Sequence, residues 1–155
     1  MSNRIYYLSP AYGFDETLAH VGAPENAEAR LREMGECLAG TDGLVGIYIP
    51  ESTEDAYQPG NMRGRVVGTV KMLPMPIGKD ISDYVYKDWD GSLRWPIGWP
   101  CEVVHAPGVD VCPYLRSIVQ DLHGPNAFAP FTSQFQHGPI KIMPDVSKAI
   151  LAYFE

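Results

Sequence analysis

The chain has 155 residues and 17.2 kDa, the size of one domain, with 45% hydrophobic and 20% charged residues; that is globular usage and excludes disorder. Fifteen Gly and 14 Pro break long helices and argue against an all-helical bundle. A formal net charge of −7 argues against a generic coat for nucleic-acid phosphates, which is basic.

Arg4 to Leu8 (Arg-Ile-Tyr-Tyr-Leu) is rich in β-formers and predicts a first strand, ended by the turn chemistry of Ser9-Pro10-Ala11-Tyr12-Gly13. Residues 24–39 predict a helix. Pro24 suits its first turn, Glu25 and Glu28 favour its N-terminal end, and Gly40 stands where a C-cap belongs. Ala27, Leu31, Met34 and Leu38 fall on one face of that helix.

Asp42-Gly43 turns the chain into the apolar run 44–49, which predicts a buried strand. The polar loop 50–64 follows, then a strand over 65–73 stopped by Pro74 and Pro76. Residues 77–100 read as aromatic, proline-rich and irregular. A strand is expected over 101–105 and a short helix over 113–122, with Leu115, Ile118, Val119 and Leu122 inward. An extended segment over 139–143 leads into a closing helix with Val146, Ala149, Ile150 and Tyr153 on one side. This order predicts an α+β fold: one domain spanning residues 1–155, with closely spaced strands that suit a small β-barrel flanked by helices.

Cys37, Cys101 and Cys112 are odd in number and form no CxxC, so a disulfide framework is not expected. No secretory leader is read at the N-terminus, and no run of about 18 apolar residues predicts a membrane span. The expected setting is the reducing cytoplasm, away from membranes.

The sequence contains no GxSxG, GxxxxGK[ST], GxGxxG or HExxH. Cys101, His105 and Cys112 do not have a zinc-site spacing, and no cofactor or metal is expected. Asp88-x-Asp90-Gly91 starts like a calcium loop without its later acids and reads as a turn. All three tryptophans, Trp89, Trp95 and Trp99, lie within 11 residues of one another. Indole faces on such a segment either plug a barrel end or stack on planar guests. Residues 61–100 carry six basic residues, including Arg63, Arg65 and Arg94, against four acids. This local positive balance contrasts with an acidic remainder.

The order of segments resembles the PUA-like superfamily, and within it the EVE domain, a relative of the YTH and ASCH domains. The residues that carry the resemblance are Arg4-Ile-Tyr-Tyr-Leu8, the helix followed by Asp42-Gly43-Leu44-Val45-Gly46-Ile47-Tyr48, and the strand Arg65-Val66-Val67-Gly68-Thr69-Val70. Trp95-Pro96 to Val104, Pro113-Tyr114-Leu115 and Gln134-Phe135-Gln136-His137-Gly138-Pro139-Ile140 complete it. Where the EVE opening usually has a tryptophan, this chain has Tyr6 and Tyr7.

The resemblance implies a small barrel with a concave aromatic pocket and a non-catalytic reader of plain or modified bases in RNA or DNA. On that reading Trp89, Trp95 and Trp99 stack, Tyr48 stands in the wall, and Arg63, Arg65 and Arg94 contact phosphates or base edges. The partner is a nucleic acid or a nucleotide-like small ligand. Two other classes stay open. One is a small enzyme using Cys101 or His105, with Asp88 or Asp90 as an acid–base partner. The other is a domain whose aromatic patch docks another protein.

Overall fold

The computed structural model describes residues 4–53, 60–87 and 93–155; Trp89, Asp88 and Asp90 lie outside the described residues. Strand β1 (Ile5–Pro10) is followed by β2 (His20–Ala23) and helix α1 (Glu28–Leu38), which is entered through a 3-10 turn at Glu25–Ala27. Strands β3 (Leu44–Tyr48) and β4 (Val66–Met72) come next, then the short β5 (Tyr86–Lys87) and β6 (Leu93–Trp95). The long β7 (Ile97–His105) leads to α2 (Leu115–His123) and α3 (Phe128–Ser133). A 3-10 turn (Gln134–His137), β8 (Ile140–Lys141) and α4 (Pro144–Leu151) close the chain.

Six strands form one mixed sheet in the order β2-β7-β4-β3-β1-β8. Only β1 and β3 run parallel, with Ser9 opposite Ile47 and Pro10 opposite Tyr48. A parallel pair needs a long crossover, here supplied by β2 and α1. Strands β5 and β6 form a separate two-stranded ladder.

The α+β class matches the expectation, whereas the sheet is open rather than closed into a barrel. Its end strands are short, four residues in β2 and two in β8, and neither offers a long ladder for the other to join. No helix among the described residues is long and apolar enough to cross a membrane.

Both faces of the central strands are buried. Tyr7, Val45, Ile47, Val70 and Met72 face one cluster with Leu31, Met34 and Leu38 of α1. Ile5, Leu8, Leu44, Tyr48 and Val66 face another with Leu115, Ile118, Val146 and Ile150. Near-continuous apolar runs are what a sheet covered on both sides requires. The α1 stripe forms as its spacing predicts, and Gly40 (φ +75°) takes the left-handed conformation that ends the helix.

Several expectations need correction. Leu122 and Tyr153 are exposed: Leu122 keeps the helical phase of Leu115 but lies in the last turn of α2, outside the buried cluster, and Tyr153 lies beyond the end of α4 at Leu151. The stretch over 77–100 is less irregular than its prolines imply. Strand β7 begins at Ile97 and pairs with β2 through Pro100, then with β4 from Cys101 onward. Pro100 thus sits where the strand changes partners, and its carbonyl accepts from the Leu73 N–H (3.0 Å). It lacks an N–H at a position where the ladder is handed over. Helix α3 and strand β2 are not expected from the sequence.

Candidate functional site

The C-terminal ends of β1 and β3 open onto a groove of about 830 Å³. Tyr12 just after β1 and Trp95 at the end of β6 stand together on one side, ring centroids 5.2 Å apart and planes inclined at 48°. On another side, Tyr48 at the end of β3 stacks on Phe135 at 5.2 Å and 21°. Phe128 of α3 also lines the groove, as do Glu51 and Gln136. Offset and tilted ring pairs of this kind hold one another in fixed orientations. A groove framed by them has flat apolar surfaces on which a planar group can lie.

Tyr48 is almost fully buried, and burial is the main cause that pushes its phenol up to about 12; the Glu51 carboxylate adds to this, while a backbone hydrogen bond at Glu51 opposes it. Tyr48 is therefore a neutral wall at ordinary pH. Glu51 accepts two hydrogen bonds from Arg116, at 2.7 and 3.0 Å. These bonds hold its carboxyl below the usual range. Arg116 also lies over the Phe128 ring, 4.4 Å from its centroid. The rim thus carries a forked ion pair that ties α2 to the segment after β3 and braces an aromatic wall residue.

Behind the Tyr12–Trp95 side lies a smaller cavity of about 30 Å³. It shares Pro10, Ala11, Tyr12 and Trp95 with the groove. His20 lines it, and burial lowers the His20 pKa while a backbone hydrogen bond at Val85 opposes that shift. His20 is therefore neutral at pH 7.

The anticipated site residues separate. Trp95 and Tyr48 come together on the groove. Trp99 does not join them: it is 5% exposed, packs over Gly35 of α1, and donates its indole N–H to the Leu73 carbonyl at 2.7 Å. Strand β7 begins at Ile97, four residues before the strand expected over 101–105, and carries Trp99 into the core.

Arg65 is spent on the 109–114 segment. It donates to the Val109 and Cys112 carbonyls and to the Tyr114 hydroxyl, and lies 4.3 Å from the Tyr114 ring centroid. Arg63 donates to the Thr53 carbonyl at 3.4 Å. Neither lines the groove. Arg94 belongs to β6, where only its backbone is described.

Tyr12, Phe128, Phe135, Glu51 and Arg116 were not anticipated. Phe128, Phe131 and Phe135 recur at spacings of three and four, a helical stripe that the sequence does display.

Burial pushes the Cys101 thiol up to about 12 and raises that of Cys112. A thiol held protonated is a poor nucleophile and a poor metal ligand. His105 engages the Thr69 hydroxyl at 2.6 Å and stacks on Phe154, not on either cysteine. No cluster of three or more His, Cys, Asp or Glu that could hold a metal ion forms among the described residues.

No family model and no curated protein matches this chain.

Proposed function

We propose that the chain is a PUA-like, EVE-type binding module that captures a plain or modified nucleobase, from RNA, DNA or a nucleotide-like small ligand, in the groove at the β1 and β3 ends. The observation that carries this reading is the pair of aromatic walls, Tyr12 with Trp95 and Tyr48 with Phe135, around one opening of sufficient size. Trp95 is the principal stacker. In this reading the open six-stranded sheet stands where the PUA-like fold has a small barrel. The three free cysteines suit the reducing cytoplasm.

The acidic body favours a ligand taken one base at a time over a long, phosphate-tracking interface. In this reading Arg116, paired with Glu51 of the groove lining, meets a phosphate flanking the base. The buried, protonated thiols of Cys101 and Cys112 weigh against the enzyme alternative.

The test is fluorescence titration with short oligonucleotides, with and without base modification, at two salt concentrations. Stacking on Trp95 contributes about 1–3 kcal/mol per base, so Trp95→Ala weakens binding roughly 5- to 150-fold. Salt-insensitive binding together with an unchanged Trp95→Ala isotherm would falsify the reading.

A further inference from the structure

Among the described residues the groove is lined by five aromatic rings, Tyr12, Tyr48, Trp95, Phe128 and Phe135, and by one charged residue, Glu51. Tyr12, Trp95 and Phe135 are partly exposed, whereas Tyr48 and Phe128 are buried. Each oxygen of Glu51 accepts a hydrogen bond from Arg116, which does not itself line the groove. The two charges offset each other. The described lining therefore holds no cation of its own to repel a positively charged guest, and its one anion is already paired.

The ring faces remain to discriminate by charge. An aromatic face is negative and its edge positive, so a cation over the face is attracted electrostatically. One ring of the lining already holds a planar cation: the Arg116 guanidinium lies 4.4 Å from the Phe128 centroid. Arg65 over Tyr114 at 4.3 Å and Arg4 over Tyr6 at 4.6 Å repeat the arrangement elsewhere on the molecule. Tryptophan makes the strongest contact of this kind, and Trp95 is the tryptophan of the groove. A flat ion with delocalised charge is weakly hydrated, as guanidinium is, and gives up less on entering an apolar groove than a compact ammonium does. The acidic body, with a net charge of −7, acts in the same direction.

We propose that the groove selects nucleobases whose ring carries a positive charge, as methylation at a ring nitrogen produces, over neutral isomers methylated elsewhere. Trp95 supplies the discriminating face. Stacking by itself accepts any base, because every base has a flat face; the charge adds an attraction that the neutral isomer lacks. This inference rests on the base-capture reading above and adds to it the charge of the base.

The test uses single-stranded oligonucleotides identical except for one central base. One pair carries 3-methylcytosine, positively charged at neutral pH, or its neutral isomer 5-methylcytosine. The other carries 1-methyladenine, also charged, or neutral N6-methyladenine. Size and phosphates are the same within each pair. Affinities are read by anisotropy of a terminal fluorophore for the wild type, Trp95→Phe, Trp95→Leu and Trp95→Ala, with circular dichroism as the check on folding. The wild type binds the charged isomer of each pair roughly five- to thirtyfold more tightly. Trp95→Phe keeps a preference for the charged isomer. In Trp95→Leu, which is apolar but offers no ring face, the preference falls by roughly threefold or more. Equal affinities within either pair, or tighter binding of a neutral isomer, overturn the proposal. A preference unchanged in Trp95→Leu also overturns it, because contacts to the base edge then make the choice. In each of these cases base capture still stands where Trp95→Ala weakens binding of all four oligonucleotides. If none of the four binds the wild type, both readings fall together.

Discussion

Gly35 of α1 leaves open the space that the Trp99 indole fills: a Cβ at Gly35 would stand 2.2 Å from Trp99 Cδ2 and 2.4 Å from Cε2. The indole is fixed from its other end by the bond to the Leu73 carbonyl. Alanine gains about 1 kcal/mol over glycine as a helix former, but no Cβ fits within 2.4 Å of a buried ring without moving α1 or β7. Overpacking of that kind costs about 1–3 kcal/mol or more. Gly35→Ala is therefore expected to lower the urea midpoint despite the better helix propensity. An unchanged or raised midpoint would show that Trp99 does not lie against α1.

Arg65 has the residue type of a phosphate contact and the surroundings of a structural clamp. Its bonds to two carbonyls and the Tyr114 hydroxyl tie β4 to the 109–114 segment. Arg65→Ala is expected to destabilise the chain by about 2 kcal/mol and to speed proteolysis near residues 107–113. Oligonucleotide affinity of the folded variant stays at the wild-type value. A variant of normal stability with weakened, less salt-dependent binding would return Arg65 to the ligand site.

Tyr48 gives an alkaline signature. Its folded pKa, about 12, lies above the unfolded tyrosine value near 10. A raised folded value means that the stabilisation is complete below the unfolded pKa. It is lost as pH rises from about 10 through the folded pKa, at about 2–3 kcal/mol for the full shift. Wild type loses stability across that window more steeply than Tyr48→Phe, as read by urea unfolding at fixed pH steps. Parallel losses in the two proteins would place the Tyr48 hydroxyl in water.

The three thiols are expected to separate by access. Cys37 is exposed, whereas Cys101 and Cys112 are buried with raised pKa values. Iodoacetamide with peptide mapping should label Cys37 in the native protein and the other two only in denaturant. Rapid native labelling of Cys101 would revive a cysteine-based enzyme.

The amino-acid order by itself determined the elements whose signal is local. The α1 stripe, the Gly40 stop, and the runs that became β1, β3 and β4 follow from side-chain period, glycine conformational freedom and proline's missing N–H, all of which act within a few residues. The clustering of the three tryptophans also singles out Trp95, though it does not separate it from Trp99, and Tyr48 enters through the resemblance. Tertiary structure alone decided which ring meets which. Trp99 and Trp95 are four residues apart, yet one is drawn into the core by a glycine on α1 and the other stands beside Tyr12, more than 80 residues earlier in the chain. Phe135 reaches Tyr48, and Arg116 reaches Glu51, only because α2 and α3 fold back across the second face of the sheet. Pairings over such separations depend on the packing of whole faces, and no short window of sequence encodes them.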